Sequence, residues 1–228
     1  MIFLNEHARS IPAKILMALG VLTGIITAIL LVSDYSEWLM NATGPVSSEG
    51  DRLRILIMLI CCLIYFFRFS FSLLVFVQRK IAWLEAIVVS ILFYMMFYYF
   101  CFSAGSYGGS VGVLDFIGVA LFLSGSAINV VADYQKFAWK KESKNRGKLY
   151  TSGLFRYSMH INYFGDALGY FGLALITHNA VCVSISLGMM VYFIGFEIPL
   201  LDRHLKQKYT KEFEAYARRT KKFVPCIY

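Results

Sequence analysis

The sequence predicts an all-α protein: a polytopic integral membrane helix bundle of about six transmembrane helices, folded as a single membrane-embedded domain over residues 1–228. Three observations predict it. Hydrophobic residues make up 58% of the chain and charged residues only 16%, against about 45–50% and about 25% in soluble domains. Apolar stretches recur along the whole length at close to the roughly 20 residues that a crossing helix needs. Basic residues, which give a net charge of +8, gather between and just after those stretches, as cytoplasmic loops do.

The apolar segments fall at 13–33, 54–77, 82–103, 111–132, 164–177 and 180–201. The first is too long for a signal peptide and lacks a small-residue cleavage site, so it reads as a helix. The fifth is short for a full crossing. With the turn Thr177–His178–Asn179 it reads as one arm of a helical hairpin with the sixth. An even number of crossings puts both termini on one side. That side carries Arg9, Lys14, Arg79, Lys80 and the clusters QKFAWKKESKNRGK and RHLKQKYTKEFEAYARRTKK. The other side has Arg52 and Arg54, offset by Asp34, Glu37, Glu49 and Asp51, and a GSYGGSVG turn without Lys or Arg. The positive-inside rule therefore predicts cytoplasmic termini, in a bacterial inner membrane or the eukaryotic endoplasmic reticulum. In a eukaryotic host Asn41-Ala42-Thr43 would be a glycosylation sequon on the far side.

The cysteines carry no chemistry in this reading. Cys61, Cys62, Cys101 and Cys182 lie in apolar segments, and Cys226 is third from the end rather than fourth, so it is not a prenylation box. No Cys/His spacing suggests a metal. Basic clusters can bind nucleic acid or anionic lipid headgroups, but their position between and just after apolar spans points to cytoplasmic loops instead.

Ionisable residues inside apolar segments are costly and mark function by default. Arg68 sits within segment two, in YFFRFSF; Asn129 and Asp133 close segment four, in INVVADYQK; Asp166 opens segment five; Glu197 lies near the end of segment six. Asn129 and Asp133 share a helix face, as do Tyr65 and Arg68. Singly, each has a structural reading: an ion pair for Arg68, a cap for Asp133, snorkelling for Glu197, a buried hydrogen bond for His160. Their concentration with Asn162 in 129–166 predicts instead a polar cavity open to the cytoplasm. Its rim, with Lys140, Lys141, Arg146, Lys148 and Arg156, is basic and suits a phosphorylated nucleotide.

INVVADYQK, the basic loop, GLFRYSMHINYFGDALGYFGLAL and the ending from Tyr216 through FVPCIY resemble the cofactor-binding half of the steroid 5α-reductase-like membrane family, and YFFRFSF is similar to its tyrosine-plus-arginine helix. The resemblance covers about 125–228. It implies NADPH-dependent reduction of a carbon–carbon double bond, often conjugated to a ketone, in a hydrophobic lipid or steroid-like substrate that arrives from the bilayer. It implies that residues 111–228 bind the cofactor and that 1–110 serve the substrate side. Carried over, Asn129, Asp133, Asn162 and Asp166 bind cofactor, with Arg68 and Arg146 as phosphate or amide partners. Tyr150, Arg156, Tyr157, His160 and Tyr163 complete that set. Tyr65 matches the tyrosine that polarises the substrate carbonyl, and Glu37 or Asp34 is an acidic partner for it by position.

The chain departs from the pattern at Met159-His160-Ile161-Asn162-Tyr163, where related sequences read R-H-P-N-Y, and at Glu197-Ile-Pro-Leu-Leu-Asp202, where the animal steroid enzymes are His-rich. The isoprenylcysteine methyltransferase-like group, which uses S-adenosylmethionine, looks similar over the same region. The arginine and proline of its R-H-P-x-Y-x-G are absent here, and Asn129 with Asp133 and the long basic loop favour the reductase. A non-enzymatic channel is disfavoured, because segments one and three are nearly all apolar past their ends.

Overall fold

A computed structural model describes residues 10–32 and 51–228. Arg9, Asp34, Glu37, Glu49 and the Asn41 sequon lie outside the described residues. The described chain forms seven helices: α1 Ile11–Val32, α2 Arg52–Phe71, α3 Trp83–Ser106, α4 Val113–Lys141, α5 Ile161–Ile176, α6 Ala180–Tyr192 and α7 Ile198–Arg219. A π-helical turn, Ser72–Phe76, extends α2, and a second, Phe193–Glu197, joins α6 to α7, which is itself kinked at Thr210. Five helical runs are long and apolar enough to cross a bilayer: 11–30, 52–76, 83–106, 113–141 and 180–219.

The segment expected to be one short arm, α5, is 16 residues long, roughly 24 Å at 1.5 Å per residue. It lies antiparallel against α4, and His178 just past its end bonds to Asp115 in the first turn of α4 at 3.0 Å. The hairpin α5–α6 therefore turns at the far end of the bundle. Close approach of the helices makes this possible. A Cβ on Gly125 would stand 2.4 Å from the Gly165 carbonyl oxygen, and one on Gly172 2.5 Å from that of Gly118. Among lipid tails there is no hydrophobic drive between helices, so small residues that let backbones touch are what hold such a pair. The pair α1–α3 uses the same device, with Gly20 against the Ser90 backbone and Gly24 against that of Tyr94.

One boundary and one charge differ from expectation. Segment four continues to Lys141, because nothing between Asp133 and Glu142 breaks a helix; the first half of the basic loop is thus helical. Arg54, counted with the loop charges, is fully buried. It donates to Asp115 at 2.8 Å and to the carbonyls of Gly109 at 2.6 Å and Ser110 at 2.8 Å. Tyr107 lies under its guanidinium and stacks on His178, ring centroids 4.4 Å apart. This knot closes the far end and ties α2, α4 and the turn after α5 together. Beside it, Asp51 caps α2, and backbone N–H groups of Val111 and Leu53 hold its carboxyl below the usual range.

The central core is aromatic. Tyr65, Phe93, Phe97, Phe100, Phe122 and Tyr170 are buried together between α2, α3, α4 and α5. At the opposite end from Arg54, the C-terminal tail folds back. Met159 and His160 donate backbone N–H bonds to the carbonyls of Lys221 and Lys222, and Ser158 Oγ donates to that of Phe223 at 2.7 Å. The tail thereby braces the start of α5.

Candidate functional site

Three helices deliver polar side chains to one place in the half of the bundle opposite Arg54. From α2 come Tyr65 and Arg68 on a shared face. From α4 come Asn129 and Asp133, and from α5 Asn162 and Asp166, each pair one turn apart. The tight α4–α5 seam at Gly125 and Gly165 sets the register: a Cβ on Gly165 would sit 2.8 Å from the Asn129 backbone nitrogen. Asn129 and Asp166 thus face each other directly.

Hydrogen bonds join them. Arg68 donates through one terminal nitrogen to Asn129 Oδ1 at 2.5 Å and through the other to Asp166 Oδ1 at 2.9 Å. Asn129 Nδ2 donates to Asp166 Oδ2 at 3.0 Å and to the Asn162 carbonyl at 3.1 Å. Asn162 Nδ2 donates to Asp133 Oδ1 at 3.2 Å. One guanidinium and two carboxylates leave the network a net acceptor of hydrogen bonds, suited to amide and hydroxyl donors. Arg68 Nε is buried without a partner.

Tyr65 is one turn deeper and only 2% exposed. Its ring packs against Phe97 at 4.7 Å and Phe69 at 5.7 Å, with the Arg68 guanidinium 4.8 Å from its centroid. Its hydroxyl lies 2.8 Å from that of Tyr170. Tyr170 escaped the sequence reading, although it stands one helical turn after Asp166 on the same face, a spacing that points it inward.

Other candidates stand apart from this network. His160 is buried and bonds to Asp202 at 2.8 Å, and Asp202 in turn pairs with Lys222 at 3.1 Å. His160 therefore ties α5 to α7 and the tail. Tyr163 packs on Phe193, centroids 5.1 Å apart. Tyr150 is buried between Trp139 and Phe155. Arg146 is exposed on the loop after α4. Arg156 is also exposed and lies over the Tyr157 ring at 4.6 Å. With Thr151, Ser152, Gly153, Arg219 and Thr220 it lines an open surface hollow of about 360 Å³. Glu197 accepts from Tyr192 at 2.7 Å within the second π-helical turn. Asp202 and Asp115 were also missed by the sequence reading. Asp115, a lone acid in VLDFIGVALF, was visible as an anomaly.

A family model described as a protein of unknown function (DUF1295) matches residues 46–220. The chain is 30% identical over 112 residues to "3-oxo-5-alpha-steroid 4-dehydrogenase 2" of Sus scrofa, covering 49% of this chain and 42% of that protein. It is 27% identical over 112 residues to "Steroid 5-alpha-reductase DET2" of Arabidopsis thaliana, covering 49% and 41%. It is also 30% identical over 92 residues to "Probable O-methyltransferase ustE" of Ustilaginoidea virens, covering 40% and 32%. The chain thus spans less than half the length of each of these relatives.

Proposed function

Since this chain belongs to the steroid 5α-reductase-like DUF1295 family, we propose that it is a multi-pass membrane reductase that uses NADPH to saturate a carbon–carbon double bond conjugated to a ketone in a lipid. The observation that supports this reading best is the convergence of Tyr65 and Arg68 with Asn129, Asp133, Asn162 and Asp166 from three separate helices. Ionisable groups gathered at membrane depth are rare and mark a functional site by default, even where they pair with one another.

The residues present fit a nicotinamide dinucleotide. Asp133, Asn162 and Asp166 would take hydroxyl and amide hydrogens, while Arg68, with its Nε free, would donate to an acceptor. The exposed Arg146 and Arg156 would meet phosphate, with Tyr157 beside Arg156, while the buried Tyr150, His160 and Tyr163 would act by holding the surrounding backbone in place. Residues 111–228 would thus hold the cofactor and 1–110 the substrate side, with the network and both termini cytoplasmic. NADPH, when bound, supplies the hydride. The chain supplies the rest. The seam and Arg68 orient, and the surrounding aromatics exclude water. Tyr65 offers its hydroxyl hydrogen to the substrate carbonyl, in a dry site where such a bond counts for more, and would give that proton to the substrate as the second half of the reduction, regaining it from water after the product leaves. An apolar substrate would reach it sideways from the bilayer.

The O-methyltransferase relative keeps S-adenosylmethionine as the competing cofactor. Calorimetric titration of the detergent-purified protein with each decides between them. Binding of NADPH alone, followed by its oxidation with an enone lipid or sterol, supports the reductase. Saturable binding of S-adenosylmethionine without NADPH binding would overturn it.

A further inference from the structure

We propose that Tyr170 is a positioning residue for the reaction, donating its hydroxyl hydrogen to the Tyr65 oxygen so that the Tyr65 hydrogen is left facing the substrate carbonyl. The inference rests on the reductase reading and on the 2.8 Å contact between the two hydroxyls. Both side chains are nearly sealed, 2% exposed for Tyr65 and 3% for Tyr170. A buried phenol needs a partner, and each of these has the other. A phenol has one hydrogen to give. If Tyr65 gave it to Tyr170, none would remain for a carbonyl; the opposite polarity frees it.

The surroundings favour that polarity. The Arg68 guanidinium over the Tyr65 ring makes negative charge cheaper on Tyr65 than on its neighbour. As the substrate oxygen gains charge and pulls on the Tyr65 hydrogen, the Tyr65 oxygen becomes more negative, and the Tyr170 hydrogen is already aimed at it. Tyr170 keeps its own proton throughout. The backbone carbonyl of Tyr170 accepts from Ser186 Oγ at 3.0 Å, which fixes this turn of α5 against α6. Tyr170 can therefore do the work that an acidic partner would otherwise do for Tyr65.

Tyr170→Phe removes one oxygen and keeps the ring, so packing is preserved. Its kcat for an enone lipid should fall about tenfold, the size of one lost hydrogen bond, with the KM for enone and NADPH unchanged. A second readout needs no turnover. An alkyl-substituted 2-naphthol, whose phenolate mimics the developing enolate, should bind Tyr170→Phe about tenfold more weakly than native protein. A saturated ketone of the same shape should bind both equally. A Tyr170→Phe protein with native kcat and native naphthol affinity overturns the assignment while leaving the reductase reading intact. A native protein that binds S-adenosylmethionine and not NADPH overturns both.

Discussion

Asn129 and Asp166 meet across the α4–α5 seam, amide nitrogen to carboxylate at 3.0 Å, and both accept from the same Arg68 guanidinium. Three helices are pinned by this triangle. In a membrane interior each of these groups would be costly alone, and together they satisfy one another. Removing one therefore strands the others.

Asp133→Ala and Asn162→Ala, at the rim of the network, should weaken NADPH binding by about 1–3 kcal/mol each with little change in folding. Asp166→Ala should lower the unfolding temperature as well, because it strips Arg68 of its counter-charge. Titration calorimetry and thermal melts in detergent separate the two effects. Equal melting temperatures for all three variants would contradict the triangle's structural part.

Tyr65→Phe should leave NADPH affinity as it is and abolish turnover of an enone substrate. The ring and its contacts with Phe69 and Phe97 survive the change, so loss of rate would report the hydroxyl alone. Steady-state NADPH oxidation at saturating substrate makes the measurement, and an unchanged kcat would remove Tyr65 from the chemistry.

Gly125→Ala should push α4 and α5 apart, since its Cβ would collide with the Gly165 carbonyl at 2.4 Å, an obstacle of backbone that cannot rotate away. Overpacking of this kind costs about 1–3 kcal/mol, and here it should also shift Asn129 off Asp166 and weaken NADPH binding. Gly188→Ala is the control: nothing lies within 4 Å of its Cβ position, so it should be neutral or slightly stabilising, as alanine is the better helix former.

Asp115→Ala should destabilise the protein by about 3–5 kcal/mol, because Arg54 would be left charged in a closed space. The double variant with Arg54→Met should recover part of the loss. Neither should alter cofactor affinity beyond the fraction folded, since the knot lies at the other end of the bundle. Chemical denaturation of both variants beside the native protein checks this.

The bundle was largely legible in the sequence because membrane helices announce themselves by length and composition, and Arg68, Asn129 and Asp166 stand out in apolar surroundings. What stayed hidden is what depends on helix register. The glycines at 118, 125, 165 and 172 look unremarkable until α4 and α5 are laid side by side, and only their fit brings Asn129 to Asp166. Tyr170 was hidden among fifteen tyrosines, most of which serve as interfacial or core rings. Arg54 was mistaken for a loop charge because its partner, Asp115, is distant in sequence. The partner of His160, Asp202, stayed hidden because it stands 42 residues away in sequence.

The tail that grips Ser158, Met159 and His160 also sets an order of assembly. Translation completes α5 long before it reaches Lys221, so the nascent helix pair enters the bilayer with the start of α5 unbraced. The bonds from Ser158, Met159 and His160 to the carbonyls of residues 221–223 can form only once the tail has been made, whereas the glycine seam of α4 and α5 can close before it.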